Sequence, residues 1–418
     1  MNTRLIELNE VSTLPLADGL DLPQGKQISL PFLVHCLVVC TNPVIGAAIK
    51  KTLDQAHNLM VAIEPRLPEE LSDYQFILLV DSGDQHLTLS VLEQAHMAEK
   101  HVLLVGDNIA ADLMRRAIQL QIRDFIPLDN FEQEIFPAVE RIVVQIAQQV
   151  KLAPIVSIIN GKGGSGASFL SHAIGQIYSE QYKEGIALYD GDFQHGSLAN
   201  MLGVEPEYYL DNALMEVGSL DGIAIKSMMS KANNLCLLPV KPYSHLTELS
   251  CIDEKDIALL INKMRYHFEL VIADLSRGLE ANHLNMVLSS DIIYVVVQQN
   301  IASIRESKAL VKQLINWQQI DKGKIHLIVN RYSEKHISIS IDDIKQAIGI
   351  DSVFVVQNNF ELASAATDLG KPLSKIEGSA GIRQQLNYIV TKTSPIAMDI
   401  NINRPGFWAR LIGKDTRK

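Results

Sequence analysis

Residues 160–178 read NGKGGSGASFLSHAIGQIY, and this stretch decides the fold of the larger part of the chain. It follows the apolar run APIVSII at residues 153–159 and continues into apolar residues at helical spacing. A glycine-rich turn between a strand and a helix lets consecutive backbone N–H groups face a phosphate, and the helix N-terminus adds positive potential. Ser168 stands where a Mg²⁺-binding hydroxyl belongs. The stretch therefore predicts a strand, a phosphate-binding turn and a helix.

The sequence around this turn alternates apolar runs with helical segments, which is typical of a parallel sheet covered by helices on both faces. Besides residues 153–159, the expected strands are at residues 186–190, 235–240, 269–274, 291–297, 324–330 and 352–356. Seven strands with helical crossovers predict a large doubly wound, mostly parallel α/β domain over residues 151–395.

A shorter series of the same kind precedes this domain. Its expected strands are at residues 33–40, 76–81, 101–106 and 123–128, with a last helix at residues 131–150. This pattern predicts a separate α/β domain over residues 30–150, with a parallel sheet wrapped by helices. Residues 1–29 are polar and rich in proline and glycine, and we expect an N-terminal tail there. Residues 396–418 are expected to form a basic amphipathic C-terminal tail.

The composition of the 418 residues is that of a globular protein, with 47% hydrophobic and 20% charged residues. No apolar run reaches the roughly 18 residues that suggest a membrane-spanning helix, and we expect a cytoplasmic protein. The net charge of −11 makes DNA an unfavourable partner. Buried free thiols are expected for the cysteines, which lack metal-ligand spacing: Cys36, Cys40, Cys236 and Cys251.

The turn at residues 162–168, KGGSGAS, resembles the deviant Walker A motif K-G-G-x-G-K-[ST] of the MinD/ParA superfamily of P-loop ATPases. The resemblance covers about residues 153–390. It implies that ATP or ADP binds with Mg²⁺, and that the nucleotide contacts Gly161, Lys162, Gly163, Gly164, Ser165, Gly166, Ala167, Ser168 and Phe169.

The two cation positions of this motif differ in what they imply. In the family the early lysine, here Lys162, reaches the nucleotide of the partner subunit, so the resemblance implies a homodimer. The usual P-loop lysine, which neutralises charge on the β- and γ-phosphates, is replaced by Ala167. We therefore expect ATP binding with slow or absent hydrolysis.

Two strand ends resemble the acidic motifs of the superfamily. LYDGDFQHGSL at residues 188–198 resembles the second motif, in which the later acid, Asp192, lies near Mg²⁺ and the attacking water, with Asp190 as the strand-end acid behind it. ELVIADLSRG at residues 269–278 resembles a Walker B strand, in which Asp274 holds the Mg²⁺ shell through water. Taken alone, each of these aspartates could equally be an N-cap or a solvated loop residue.

The resemblance assigns chemical roles to these residues and to the base site. The implied catalytic residues are Lys162 and Asp192, and the implied Mg²⁺ ligands are Ser168, Asp192 and Asp274. IVNRY at residues 328–332 resembles the motif that frames the adenine ring, which assigns Asn330 and Arg331 to the base.

Two further segments fit this resemblance. The segment at residues 295–311 resembles the superfamily's switch-proximal helix. The segment at residues 360–373 resembles the loop and helix that close over the base, although ordinary helix capping would explain it as well.

The first domain resembles a response-regulator receiver in which the chemistry is incomplete, and this resemblance implies a flavodoxin-like fold. Asp81 occupies the place of the phosphoacceptor at the end of the third strand. The first strand ends in VVCTN without an acid pair, and Leu128 stands where a phosphate-binding lysine is expected. Because phosphoacceptance depends on charge neutralisation, Asp81 is expected to be structural, and the domain to be a protein-interaction surface.

A receiver-like domain ahead of a MinD/ParA-like ATPase is similar to the layout of the CpaE/TadZ family of pilus-assembly proteins. This resemblance implies a localisation and assembly protein of a tight-adherence (Flp type IVb) pilus system, with a secretion ATPase and other pilus-assembly proteins as partners. It also implies a place at the inner membrane or a cell pole. The alternative is a competent ATPase that positions DNA or division proteins.

The C-terminal segment at residues 404–418 combines Phe407 and Trp408 with several basic residues. An aromatic-rich apolar face with flanking cations suits an anionic membrane surface. The segment also resembles the membrane-targeting helix of MinD. The alternative is that the two aromatic residues pack on the ATPase domain or on a protein partner.

Overall fold

The computed structural model describes residues 29–149, 152–182, 185–243, 246, 253–334 and 339–396. None of the helices in these ranges has the length and hydropathy needed to cross a membrane. Cys36, Cys40 and Cys236 are free and buried, as the sequence predicted. The expectations for Cys251, for residues 1–28 and for the tail at residues 404–418 concern residues outside the described ranges.

The first domain is a five-stranded parallel sheet with helices on both faces. Its strands are β1 (Ser29–Val39), β2 (His57–Glu64), β3 (Phe76–Val80), β4 (His101–Val105) and β5 (Asp124–Ile126). Its helices are α1 (Pro43–Leu53), α2 (Gln85–Met97), α3 (Ala111–Gln119) and α4 (Phe131–Gln149). The strand order β2-β1-β3-β4-β5 is that of flavodoxin-like doubly wound sheets.

One of these strands, β2, was missing from the sequence-based prediction. It begins four residues after α1 ends, and most of its residues are only partly buried. Asn58 near its start has φ +63°, a backbone conformation that is unusual within a strand. These local features hide a strand that pairs with β1 over most of its length.

The second domain is an eight-stranded sheet in the order β13-β12-β11-β6-β10-β7-β9-β8. Its strands are β6 (Ile155–Asn160), β7 (Ile186–Asp190), β8 (Ser230–Ala232), β9 (Leu235–Leu238), β10 (Leu270–Leu275), β11 (Ile292–Val297), β12 (Ile325–Tyr332) and β13 (Val353–Gln357). The seven predicted strands are present and parallel. The prediction of seven was one strand short, because β8 is a three-residue antiparallel edge strand without an apolar pattern.

The helices of the second domain cover both faces of the sheet. They are α5 (Ala167–Gln181), α6 (Leu198–Leu202), α7 (Leu210–Met215), α8 (Gly222–Met228), α9 (Glu254–His267), α10 (Leu284–Leu288), α11 (Ile301–Lys312), α12 (Ile341–Ile348), α13 (Phe360–Asp368) and α14 (Ala380–Thr393). Short 3-10 turns occur at Leu128–Asn130, Ala281–His283, Lys322–Lys324 and Leu373–Lys375, and a π-turn at Gln313–Trp317. Several of these helices are only one or two turns long.

Two apolar cores lie on either side of this sheet. One core contains the apolar sides of α5, α6, α13 and α14, and the other contains those of α7 to α12. The inner strands β6, β7, β9, β10 and β11 are buried on both faces, which explains why their sequences are largely apolar runs. The two cores fix the positions of the strand ends. They therefore also fix the starting points of the loops that carry polar side chains at the edge of the sheet.

The first domain contacts the second through β1, which lies against α9 and α10. The Asn58 side-chain amide donates to the Leu30 carbonyl at 2.9 Å and to the Ser289 hydroxyl at 2.8 Å. Ser289 follows α10 just before β11, so this interdomain contact lies at the amino ends of the second sheet's strands.

The environment of Asp81 leads to a prediction about phosphorylation. Its carboxylate accepts a hydrogen bond from the Thr88 hydroxyl at 2.7 Å and one from the Gly83 backbone N–H at 3.3 Å. We expect incubation with acetyl phosphate to leave the intact mass of the protein unchanged, because the first strand ends in VVCTN without an acid pair and Leu128 stands where a phosphate-binding lysine is expected. A stoichiometric mass increase that Asp81→Asn abolishes would contradict this expectation.

A candidate nucleotide-binding cleft

A cleft of about 630 Å³ opens at the carboxyl ends of the second sheet's strands. This is the edge at which doubly wound sheets bind ligands, and the volume lies within the range of small-molecule sites. The cleft is lined mainly by residues from five regions: the glycine-rich turn, the loop after β7, the loop after β10, the end of β12, and α13 with the residues before it.

The glycine-rich turn is held in place by three side-chain amides. Asn160 Oδ1 accepts from the Ala167 N–H at 3.0 Å, Gln298 Nε2 donates to the Gly164 carbonyl at 3.2 Å, and Asn330 Nδ2 donates to the Ser165 carbonyl at 2.9 Å. Asn160 Nδ2 also donates to the Ser276 carbonyl at 2.7 Å, which ties the turn to the loop after β10. The sequence did not indicate Asn160 or Gln298 as residues of the site. Side-chain amides that hydrogen-bond to the backbone do not occur at a characteristic spacing in the sequence.

Glycine is required at two positions of this turn. Gly166 has φ +107°, and a side chain there would collide with the Asn330 amide. A side chain at Gly161 would collide with the buried Ser307 hydroxyl of α11. These contacts explain the glycine pattern by close packing as well as by phosphate approach.

The structure separates the residues of the predicted phosphate site into two groups. Five of them line the cleft: Gly163, Gly164, Gly166, Ser168 and Phe169. Ala167 lines it as well, but its side chain is fully buried in the core under the turn. Gly161, Lys162 and Ser165 belong to the same turn without lining the cleft.

Three carboxylates meet beside the turn. Asp190 at the end of β7 and Asp274 in β10 are fully buried and paired in register on adjacent strands, and Asp192 is nearly buried beside them. Burial, reinforced by the neighbouring Asp274 charge, raises the pKa of Asp190 well above its usual range. Burial also raises the pKa of Asp274 to about 7, and hydrogen bonds from Ser168 and Ser171 oppose this shift.

Two basic side chains lie against Asp192, and sequence reasoning assigned neither of them. His195 Nδ1 is 3.1 Å from Asp192 Oδ2, and Arg277 Nε is 3.9 Å from Asp192 Oδ1. Asp192 also accepts hydrogen bonds from the backbone N–H groups of Gln194 and His195, which fixes its side chain. Its position could have indicated Arg277 as a residue of the site, since it lies three residues after Asp274 in the segment that resembles a Walker B strand.

The opposite wall of the cleft carries the residues predicted to contact a base. It is formed by Asn330, Arg331, Gln357 and the exposed side of α13 from Phe360 to Thr367. Asn330 Oδ1 accepts from the Arg331 N–H, and the amide nitrogen bonds to the turn. The amide thus supports the phosphate-binding turn, and its predicted role in reading the base stays a prediction.

The residues at the acidic end suit Mg²⁺ held jointly by protein and nucleotide. Within the described ranges no three His, Cys, Asp or Glu side chains are arranged as a metal cage. Mg²⁺ usually keeps several waters and takes few protein oxygens together with substrate phosphates. One Asp274 carboxylate oxygen is buried without a hydrogen-bond partner, and the Ser168 hydroxyl lies in the cleft. These oxygen donors fit such a cation.

The fold and this cleft define a doubly wound P-loop domain, and comparison with known proteins places it more closely. The chain is 25% identical over 236 residues to the septum site-determining protein MinD of Helicobacter pylori, covering 54% of this chain and 85% of that protein. It is 24% identical over 244 residues to MinD of Thermotoga maritima, covering 57% and 87% respectively. No protein-family model matches the chain.

Solved structures give the same result for the fold. A ParA family ATPase from Chlorobium tepidum TLS, 17% identical, superposes with a TM-score of 0.52 and covers 58% of this chain and 99% of that one. The second domain of this chain thus has the fold of the MinD/ParA superfamily of P-loop ATPases and is similar in sequence to MinD proteins. These similarities cover little more than half of the chain and do not identify the first domain.

Proposed function

We propose that this protein is an ATP-binding switch that dimerises when it binds nucleotide and hydrolyses ATP slowly. The observation that carries the proposal is the combination of a complete glycine-rich phosphate turn with a buried alanine, Ala167, at the lysine position. The turn can bind phosphates through its backbone N–H groups. Without the lysine, charge that develops during phosphoryl transfer is poorly neutralised.

In this proposal Mg²⁺ lies between the phosphates and the acidic end of the cleft. Ser168 would hold the cation directly, and Asp192 and Asp274 through water. The bound cation would screen the β- and γ-phosphates and offset the repulsion among the three carboxylates. The aspartate pKa shifts favour the same arrangement, because a buried carboxylate with a raised pKa is stabilised in its charged form by a nearby cation.

The finer function within this proposal is localisation and assembly at a tight-adherence pilus machine. It is supported by the layout of the chain, in which a flavodoxin-like β2-β1-β3-β4-β5 sheet precedes the P-loop domain. Asp81 is engaged by Thr88, which suits a domain used as an interaction surface. Its partners would be the secretion ATPase and other pilus-assembly proteins, at the inner membrane or a cell pole.

The second candidate is a MinD-type ATPase that positions division proteins or DNA. The similarity to MinD proteins favours it. The net charge of −11 is unfavourable for a DNA-bound version, and Ala167 is unfavourable for any version driven by rapid turnover. Genes for a secretion ATPase and a small prepilin beside the gene for this chain would favour the pilus function.

Nucleotide-dependent dimerisation is the direct test of the proposed switch. At micromolar concentration the full-length protein is expected to shift from monomer to dimer when ATP and Mg²⁺ are added, measured by light scattering coupled to gel filtration. Lys162 does not line its own cleft and is proposed to contact the partner's nucleotide. Lys162→Ala should therefore weaken the dimer while leaving ATP binding by the monomer within about threefold.

Two outcomes would contradict this proposal. Absence of ATP binding by the wild-type protein would remove the nucleotide function itself. A monomer that binds ATP at micromolar concentration would remove the dimeric switch. Equal dimerisation with and without ATP would instead assign the dimer to other surfaces, such as the first domain.

A further inference from the structure

The cleft has to balance the charge of a triphosphate without the usual lysine. Among the described residues that line it, the basic side chains are His195, Arg277 and Arg331. His195 is charged only when protonated. Arg331 follows Asn330 on the wall opposite the acidic cluster. Arg277 is thus the permanent cation of the lining that lies at the acidic, phosphate-facing end of the cleft.

The backbone just before Arg277 is tied to the phosphate turn through Asn160. The Ser276 carbonyl accepts the Asn160 amide at 2.7 Å, and the same Asn160 side chain accepts the Ala167 N–H at 3.0 Å. Gly191 packs so closely on the Asp274 carbonyl that a Cβ atom there would lie 2.6 Å from it. The loop after β10 is therefore held against both the turn and the Asp190–Asp192 segment.

The Arg277 side chain has room to reach a ligand. It is 41% exposed, and its Nε lies 3.9 Å from Asp192 Oδ1, which is longer than a direct hydrogen bond. An arginine offers several donors in a planar fork that matches phosphate oxygens. Because Arg277 and Asp192 do not form a tight ion pair at this distance, a phosphate can replace Asp192 as the partner of the guanidinium.

From this geometry we infer that Arg277 is the phosphate-binding cation of the site and takes over the charge-neutralising role of the absent lysine at Ala167. This inference rests on the proposed nucleotide function. Arg277 would contact the outer phosphates, while Asp192 turns to the Mg²⁺ shell. The site then selects nucleotides by the number of phosphates, because its added cation acts at the phosphate end and not on the base.

Calorimetric titration of the full-length protein with ATP, ADP and AMP, each with Mg²⁺, tests this inference. Arg277→Ala should weaken ATP binding by about tenfold or more, the size of one lost charge-assisted hydrogen bond, and should leave AMP binding nearly unchanged. Arg277→Lys should recover part of the loss, because it restores the charge without the fork. Arg116→Ala is the matched control, since Arg116 is also about half exposed and paired with a carboxylate, Glu93, but lies in the first domain.

The outcomes distinguish phosphate binding by Arg277 from a purely structural role. If Arg277 only neutralises Asp192 in the folded chain, Arg277→Ala should lower the melting temperature without nucleotide and leave the ratio of ATP to AMP affinity unchanged; that result overturns the inference. An ATP affinity of Arg277→Ala within twofold of wild type overturns it as well, while the proposed function survives. Wild-type protein that binds no ATP overturns both.

Discussion

ATP turnover by the purified full-length protein is expected to lie well below about 1 s⁻¹, the lower end of ordinary enzyme rates. The reason is local: the position that normally supplies a lysine is Ala167, whose side chain is fully buried. We expect Arg277 to balance the charge of the bound phosphates in the ground state. Its backbone lies in the loop after β10, which the hydrogen bond between Asn160 and Ser276 holds in place, and not in the turn that surrounds the transferred phosphoryl group. Phosphate release measured in single-turnover and steady-state assays decides the rate.

Two variants identify the cause of a slow rate. Ala167→Lys should raise turnover if the missing lysine limits the reaction. Asp192→Asn should lower any residual activity, because the resemblance to the superfamily's second motif implies that Asp192 lies near the attacking water. Wild-type turnover of about 1 s⁻¹ or faster would show that another group replaces the lysine in the transition state.

The second large effect is expected for Gly166→Ala, which should weaken ATP binding by about 2–3 kcal/mol, or about 100-fold in Kd. Gly166 has φ +107°, and an added Cβ would collide with the Asn330 amide that holds the Ser165 carbonyl. The turn must then shift, and its N–H groups no longer converge on one phosphate. Titration calorimetry measures the loss.

Gly218→Ala is the control for this prediction, because Gly218 has no atom within 4 Å of an added Cβ and lies outside the cleft. Melting curves of both variants separate unfolding from a local effect on the turn. An ATP affinity of Gly166→Ala within threefold of wild type would contradict the packing argument.

The fold of the second domain could be predicted from sequence because its strands are buried on both faces. Such strands are continuous apolar runs, and β6, β10 and β11 show them clearly. The missed strands, β2 and β8, lie at sheet edges; β2 is only partly buried along most of its length, and β8 has three residues. Edge strands depend on pairing with a neighbour, which local sequence does not record.

The candidate site was predictable where chemistry fixes both residue type and spacing. The glycines, Ser168, Asp192 and Asp274 follow such a pattern, and the structure brings them together or into adjacent strands. Asn160, Gln298, His195 and Arg277 were missed. Their roles arise from distances between loops that are far apart in sequence, and single amide or basic residues are common on any loop.

The interdomain contact at Asn58 and Ser289 has a consequence for how such a dimer would engage its partners. That contact lies at the amino ends of the second sheet, and the cleft lies at the carboxyl ends, about 20 Å away along a six-residue strand such as β6. If two clefts face each other across ATP, the two first domains are left at opposite outer ends of the assembly. A partner with repeated subunits could then bind both first domains at once. After the first domain of one subunit has bound, the effective concentration of the other raises the overall avidity. Nucleotide-dependent dimerisation would therefore control avidity and not the intrinsic affinity of a single first domain.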